Sequence, residues 1–376
     1  VRRTGDGEPP GDEGDVAPHR RLLIAQTSFL GDVVLTTPLW RALRDALPDT
    51  EIWWLVRPDA APIVAPLVGP ERVLAFDKRG GDGGVGGMLR VAARLRALHF
   101  DLAIAVQRSL RTALTLALAG IPERIGFAGA AGATLYQHRV AHRGAHARDR
   151  LLALATPLGV APSPAPDPEL VTDPAADAAV ARTFAAAGVA DGAPLLVFAP
   201  GAAWDTKRWP ATRFAELARQ LVPAEFPHLV LIGTAGDRVH AQLIAAHVAR
   251  AGATSTVIDL TGRTTTAELV AVLARATLLV ANDSAPAHVA AALGRPVVSL
   301  FGPTVPAQGF APLGAHVRVV ERALRCRPCS RHGSAYCPIG THECLNDLGA
   351  GDVATASRVL LDASSALQPS PSQDLA

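Results

Sequence analysis

The sequence predicts an α/β protein made of two doubly wound, Rossmann-like domains facing each other across a cleft. Short apolar runs alternate with helical patterns along most of the chain, as in a parallel sheet covered by helices on both faces. The alternation stops once, in the proline-rich stretch APSPAPDPELVTDP of Ala161–Pro174, which reads as a linker. Three polar loops then fall at strand ends, where open α/β folds bind ligands.

Taken in order, Arg21–Gln26 reads as a strand, Asp32–Leu47 as a helix, and Glu51–Val56, Arg72–Phe76 and Asp101–Val106 as further strands with helical stretches between. The glycines of Gly80–Gly87 match no phosphate-loop spacing, since no Gly-Lys-Ser/Thr follows, and read as a flexible surface loop. Beyond the linker come helix Ala175–Ala187, strand Pro194–Ala199, helix Ala211–Leu221, strand His228–Ile232 and helix Asp237–Ala251. Strand Thr256–Leu260, helix Thr266–Ala274, strand Thr277–Ala281, helix Ser284–Leu293 and strand Pro296–Leu300 complete the second unit. The expected division is a first domain over 20–160, a linker over 161–174, a second domain over 175–350 and a helix over 351–367. Residues 1–19 and 368–376 read as a disordered lead-in and tail.

Composition narrows the function classes. A chain of 376 residues with 49% apolar content supports two real cores. Its net charge of +2 creates no global field for nucleic acid. No apolar run reaches the roughly 18 residues needed to span a bilayer. The stretch Val1–His19 has no apolar signal core, so a cytoplasmic location is expected.

The chemistry sits in the loops after the strands. In Thr27-Ser28-Phe29-Leu30-Gly31-Asp32, Gly31 permits a tight turn and close ligand approach. Asp32 is then either a simple helix cap or a carboxylate placed in the cleft for general-base work. Pro200-Gly201-Ala202 runs on to Lys207-Arg208-Trp209-Pro210, where two adjacent cations at a strand-to-helix loop either suit a diphosphate or are incidental charges on a solvated loop. Trp204 and Trp209 supply flat surfaces and packing there. Asn282-Asp283-Ser284-Ala285-Pro286-Ala287-His288 opens another helix, whose start offers backbone amides and a positive dipole end. His288 lies one turn beyond Ser284 on the same face. It either reaches the same ligand or is a core histidine behind a Ser/Asp cap and an ordinary helix, the second being favoured when the loop is taken alone. The turn Phe301-Gly302-Pro303-Thr304, with Pro306, lines the same cleft.

In this order, the S-x-x-G-D turn ending at Asp32, the P-G-A…K-R-W-P segment, the D-S-x-x-x-H loop and F-G-P-T resemble glycosyltransferase family 9, the heptosyltransferase family, over Arg21–Leu313. The resemblance implies a GT-B fold and an inverting, metal-independent transfer of heptose from ADP-heptose to an anionic glycolipid, the lipid A-core of lipopolysaccharide. It makes Asp32 the general base and Lys207, beside Arg208, the group that neutralises the leaving diphosphate. Asp283, Ser284, Ala285 and His288 match the loop that holds donor phosphates and sugar hydroxyls, while Ser28 and Gly31 face the acceptor. Such an enzyme is expected at the inner face of the inner membrane, in peripheral contact with it. Two positions depart from the pattern: Ala285 replaces the family's usual glycine, and Ala202 and Ala203 replace hydroxyl residues found in some members.

Two clusters lie outside these motifs. His138-Arg139, His142-Arg143, His146, Arg148 and Arg150 form a basic block, read either as a solvated face or, through Arg139 and Arg143, as contacts to acceptor phosphates. Cys326, Cys329, Cys337 and Cys344 are spaced C-x2-C-x7-C-x6-C, with His332 and His342 as spare ligands. The intervals are short and irregular beside two-pair zinc patterns, so reduced packing cysteines are favoured over a structural zinc, and no residue is assigned to a metal. A similar cysteine stretch occurs in the heptosyltransferase II branch of the family.

Three other readings compete. The first is a family homologue with a different sugar nucleotide or acceptor, since donor choice rests on a few pocket side chains. The second, a dinucleotide-dependent oxidoreductase, lacks the G-x-G-x-x-G fingerprint, because Gly31 stands alone. The third is a zinc-binding interaction module on a degenerate enzyme body.

Overall fold

Six strands of the first half form one parallel sheet: β1 (Arg21–Gln26), β2 (Glu51–Val56), β3 (Val73–Ala75), β4 (Leu102–Ala105), β5 (Glu123–Phe127) and β6 (His138–Val140). Their order is β3-β2-β1-β4-β5-β6. Leu22 to Gln26 are all buried, which explains a nearly unbroken apolar run: helices cover both faces of the sheet. This computed structural model describes residues 21–222, 225–250 and 256–366. The expected lead-in over 1–19 and tail over 368–376 lie outside them.

The helices of this half are α1 (Leu30–Val34), α2 (Thr37–Ala46), α3 (Ala61–Val68), α4 (Gly84–Ala97), α5 (Leu110–Leu118) and α6 (Ala147–Leu152). The single helix expected over Asp32–Leu47 is therefore two. Pro38 has no N–H to give the Val34 carbonyl, so the helical ladder cannot run through it. The Thr37 hydroxyl takes that carbonyl instead, at 2.8 Å. The expected loop at Gly80–Gly87 is also corrected: Gly84 to Gly87 form the first turn of α4. The Asp77 carboxylate accepts the N–H groups of Gly80 and Gly81, while Arg111 donates to the carbonyls of Lys78, Asp82 and Gly84. Those bonds tie the glycine stretch to Asp77 and to α5.

Residues 160–173 carry neither helix nor strand. After them come α7 (Pro174–Ala186), β7 (Leu195–Ala199), α8 (Ala211–Leu221), β8 (His228–Leu231), α9 (Arg238–Arg250) and β9 (Thr256–Asp259). Then follow α10 (Thr266–Ala274), β10 (Leu278–Asn282), α11 (Ala285–Ala292), β11 (Val297–Phe301), β12 (Val317–Glu321), α12 (Glu343–Asn346) and α13 (Ala350–Ala366). Ala251, the expected end of α9, lies outside the described residues. The second sheet is also parallel and runs β12-β11-β10-β7-β8-β9, and α13 packs on α8 and β12.

The two sheets share one winding. In each, the chain turns from one side of the sheet to the other between two central strands, β1 and β4 in the first and β7 and β10 in the second. Such reversals open a crevice at the carboxyl ends of the strands. One apolar core runs from the first sheet into the near face of the second, reaching Val197, Leu279 and Val297. A second core behind it holds Phe198, Trp209, Phe214 and Leu345. Contacts of α1 with α11 and of α3 with α10 bring the halves together, pinned by the Thr266 hydroxyl donating to the Asp59 carbonyl at 2.9 Å.

Candidate active site

The first crevice is built by the loops after β1 and β4. Phe29 caps α1, and Asp32 is its third residue. The Asp32 carboxylate takes the Phe29 N–H and the Ser28 hydroxyl, so it does act as a cap. It also sits where the crevice opens. Burial lifts its pKa above the usual carboxylate range, against the Phe29 N–H, the charge of His332 and the Ser28 hydroxyl, which all lower it. His332 belongs to the second half of the chain, so Asp32 faces across to it.

Gln107, just after β4, organises this loop. Its carboxamide oxygen accepts the Thr27 hydroxyl at 2.5 Å, and its nitrogen donates to Ser28 Oγ. From below, Gln26 Nε2 and the Thr36 hydroxyl both donate to the Asp32 carbonyl. Sequence reasoning gave Gln107 no role; its only sign was a polar residue directly after a buried strand.

The second crevice is built by the loops after β7 and β10. The Lys207 ammonium lies 2.6 Å from Asp283 Oδ2, with both side chains largely buried. The Thr304 hydroxyl, from the F-G-P-T turn, donates to the same oxygen at 2.6 Å. Asp283 is thus the counter-ion that aims Lys207. Ser284 caps α11 by position, but its hydroxyl donates to the Asn282 carbonyl at 3.1 Å rather than to a helix amide. Ala285 begins the helix, at the end where backbone N–H groups have no intrahelical partner.

Asn282, quoted in the motif but given no role, is the keystone between these loops. Fully buried, it accepts the Trp209 N–H at 3.0 Å and donates to the Pro200 carbonyl at 2.8 Å. Trp209 is core, with its indole N–H on the Leu348 carbonyl, whereas Trp204 stays partly exposed against Gly333. Arg208 is turned onto its own loop, donating to the Ala202 carbonyl and pairing with Asp205 at 3.1 Å and Asp237 at 3.8 Å. Its side chain therefore fixes the loop that presents Lys207.

Gly31 and His288 join the crevices. A Cβ on Gly31 would stand 3.1 Å from His288 Cδ2, so the glycine makes room for the ring. His288 is buried and its Nδ1 has no partner. Burial drives its pKa down to about 4; Asp283 opposes that, and His146 and Lys207 add to it. The ring is neutral at pH 7 and serves as the packed joint between the two loops.

The basic block divides. His146 Nε2 donates to the Ala311 carbonyl at 2.9 Å while its Nδ1 accepts the Arg148 N–H. Arg148 pairs with Asp149 and Asp167, and Arg150 lies over Phe310 and donates to the Gly309 carbonyl. Those three residues tie structure together. Arg139, on the edge strand β6, and Arg143, in the loop after it, are exposed.

The cysteine stretch forms a wall of the second crevice. Ser334 exchanges hydrogen bonds with Thr206, and His342 Nε2 donates to the Thr206 carbonyl at 2.7 Å. All four cysteines are free and border one cavity of about 20 Å3. Burial pushes the Cys344 thiol up to about 11. Desolvation raises the Cys337 thiol, but the backbone N–H groups of His342, Ile339, Gly340 and Thr341 together favour its thiolate and bring it below its ordinary value. Among the described residues, no three His, Cys, Asp or Glu side chains are arranged to hold a metal ion.

Comparison with known proteins gives this geometry a context. Residues 88–339 match the model of glycosyltransferase family 9 (heptosyltransferase). The chain is 28% identical to lipopolysaccharide heptosyltransferase 2 of Escherichia coli K12 over 338 residues, 87% of this chain and 94% of that protein. It is 30% identical to lipopolysaccharide heptosyltransferase 1 of Pseudomonas aeruginosa over 344 residues, 87% of this chain and 91% of that protein. The solved structure of E. coli ADP-heptose LPS heptosyltransferase II superposes with a TM-score of 0.76 at 26% identity, covering 92% of this chain and 99% of that one. The fold of a family 9 glycosyltransferase from Veillonella parvula matches with a TM-score of 0.79 at 24% identity, over 92% and 98% of the two chains.

Proposed function

The chain belongs to glycosyltransferase family 9, the heptosyltransferases, and on that premise we propose that it transfers heptose from ADP-heptose to the inner core of lipopolysaccharide, with inversion and without a divalent metal. One arrangement carries the reading. Asp32 and Lys207 stand in the crevices of the two sheets, linked by the Gly31–His288 contact.

Asp32 takes the proton of the acceptor hydroxyl as that oxygen attacks the anomeric carbon. The bond from that carbon to the diphosphate oxygen breaks on the opposite face, and ADP leaves with the electron pair. Lys207, aimed by Asp283, and the amide groups opening α11 receive the developing negative charge. Those fixed donors supply the neutralisation a metal would otherwise give. A carboxylate lifted by burial is a better base near neutral pH than an ordinary one. Arg208 serves the donor through the shape of its loop. In this reading the half before the linker 161–174 holds the acceptor, through Ser28, Gly31, Arg139 and Arg143, and the half after it holds the donor.

Relatives named heptosyltransferase 1, 2 and 3 all match. The cysteine stretch favours the second of these branches. Because the acceptor is a membrane glycolipid, the proposed workplace is the cytoplasmic face of the inner membrane. Among the described residues no helix is long and apolar enough to cross a membrane. The test is mass spectrometry of inner-core acceptor treated with ADP-heptose and either the wild-type enzyme or Asp32→Asn. The wild type should add one heptose. The variant should be folded and slower by roughly 100-fold or more. Near-normal turnover in Asp32→Asn overturns the base assignment, and transfer from UDP- or GDP-sugars but not ADP-heptose overturns the donor.

A further inference from the structure

α4 and α5 pack on each other, whereas the two halves of the chain meet through α1, α3, α10 and α11. The inner face of α4 buries Gly87, Val91, Ala92 and Leu95, as the helical period requires. Its outer face is not the polar surface of an ordinary amphipathic helix. Val85 there is 68% exposed and Leu89, one turn on, 49%. On α5, Leu110 and Leu118 are exposed as well, with half-buried Leu114 between them.

The charge around these aliphatic side chains has one sign. Residues 83–122 hold five arginines, Arg90, Arg94, Arg96, Arg108 and Arg111, and a single acid, Asp101. That acid is turned to the amino end of β1, where it accepts the Arg21 N–H at 2.9 Å. Arg90, Arg96 and Arg108 donate to the carbonyls of Gly81, Leu118 and Gly129, which carry no net charge. None of the five pairs with a carboxylate among the described residues.

Aliphatic side chains set among unneutralised arginines restrict what covers them. A second copy of this face would set arginine against arginine, which repels. An anionic bilayer suits both features: the aliphatic groups enter the headgroup layer, and the guanidinium groups meet lipid phosphates. The position suits it too. α4 and α5 start beyond the carboxyl ends of β3 and β4, on the side where the crevice of the first sheet opens.

We propose that the outer face of α4, with the flank of α5, is a membrane-docking surface that rests on anionic phospholipid. Val85 and Leu89 dip into the headgroup layer, and Arg90, Arg94 and Arg96 hold the phosphates. This deepens the acceptor reading given above and rests on it: docked this way, the enzyme presents its first crevice to a sugar whose lipid stays in the bilayer.

The test is co-sedimentation of the full chain with vesicles of phosphatidylcholine, alone or mixed with phosphatidylglycerol, in low and high salt. The wild type should bind the anionic vesicles, release them as salt rises, and leave neutral ones alone. Arg90→Gln with Arg94→Gln should weaken that binding roughly 10- to 30-fold; Val85→Ser with Leu89→Gln should weaken it about tenfold or more. All four side chains are exposed, so melting temperatures should not change. With a soluble, deacylated inner-core acceptor both double variants should transfer heptose as the wild type does. With acceptor embedded in anionic vesicles they should be slower. Wild-type binding that is equal on neutral and anionic vesicles, or double variants that bind as the wild type does, overturns the surface and leaves the transfer reading intact. A wild type that ignores vesicles but dimerises, with the dimer lost in the Val85 and Leu89 double variant, overturns it in favour of a second copy. Vesicle binding that depends on these residues, in a wild type that transfers heptose to no core acceptor, upholds the surface and overturns the functional reading instead.

Discussion

Gly31 and His288 meet face to face between the two halves of the molecule, with only 3.1 Å between the ring and the place a Cβ on Gly31 would occupy. One residue precedes the proposed base and the other neighbours the Lys207–Asp283 pair, so this contact sets the spacing of the two crevices. Gly31→Ala should push α1 and α11 apart by a few tenths of an ångström. Overpacking of this size costs about 1 kcal/mol, visible as a lower melting temperature, with a fall in kcat larger than the stability loss explains. Unchanged kcat would show that the spacing is not critical.

His288 makes stability depend on pH. Its pKa falls from 6.5 in the unfolded chain to about 4 in the folded protein, chiefly through burial. The unfolded chain therefore binds more protons between those values. The stabilising effect is complete above pH 6.5 and is lost as pH falls towards 4, by a total on the order of 3 kcal/mol. Denaturant titrations at several pH values should show this slope. His288→Gln should flatten it, although His146, also lowered by burial, leaves a residual slope of the same sign.

Asp283 should matter through Lys207. Asp283→Asn removes the carboxylate 2.6 Å from the ammonium and leaves a largely buried cation without its partner, a loss of about 3 kcal/mol or more. The KM for ADP-heptose should rise with it. Adding Lys207→Met to Asp283→Asn should restore part of the stability and none of the activity. A double variant no more stable than Asp283→Asn alone would mean that the pair is not coupled.

Gln107→Leu tests the organisation of the first crevice. The variant frees the Thr27 and Ser28 hydroxyls that Gln107 holds, and the Ser28 bond is one of the influences that lower the Asp32 pKa. Turnover should fall about tenfold, with the KM for ADP-heptose unchanged. The acidic limb of the pH–rate profile should move upward. A fall in turnover with no shift of that limb would assign Gln107 to folding alone.

The strands that build the crevices were legible because they are apolar throughout: β1, β7, β10 and β11 are buried on both faces. The edges were not. In β12 Arg318 and Glu321 are exposed, and β6 is only His138, Arg139 and Val140, so both look like loops to a pattern of hydrophobicity; β5, beginning Glu123-Arg124, was missed for the same reason. The loops carrying Asp32, Lys207 and Asp283 were legible as motifs, but their partners were not. Gln107 lies 79 residues from Ser28, and Lys207 lies 76 from Asp283. Local spacing holds no trace of pairs that only the parallel crossovers bring together. It also makes a basic run look like one patch, whereas His146, Arg148 and Arg150 are absorbed into structure.

The clasp between the cysteine stretch and Thr206 gives the protein a built-in handle for spectroscopy. Of Cys329, Cys337 and Cys344, Cys337 is the thiol most ready to react: backbone amides outweigh desolvation and favour its thiolate, whereas burial disfavours ionisation of the other two. The backbone of His342 is one of those that favour the Cys337 thiolate, and the imidazole of His342 holds the carbonyl of Thr206, next to Lys207. A thiol-reactive fluorophore on Cys337 is therefore two contacts from the loop that carries Lys207. Its emission should change when the proposed nucleotide donor binds, without a cysteine having to be engineered.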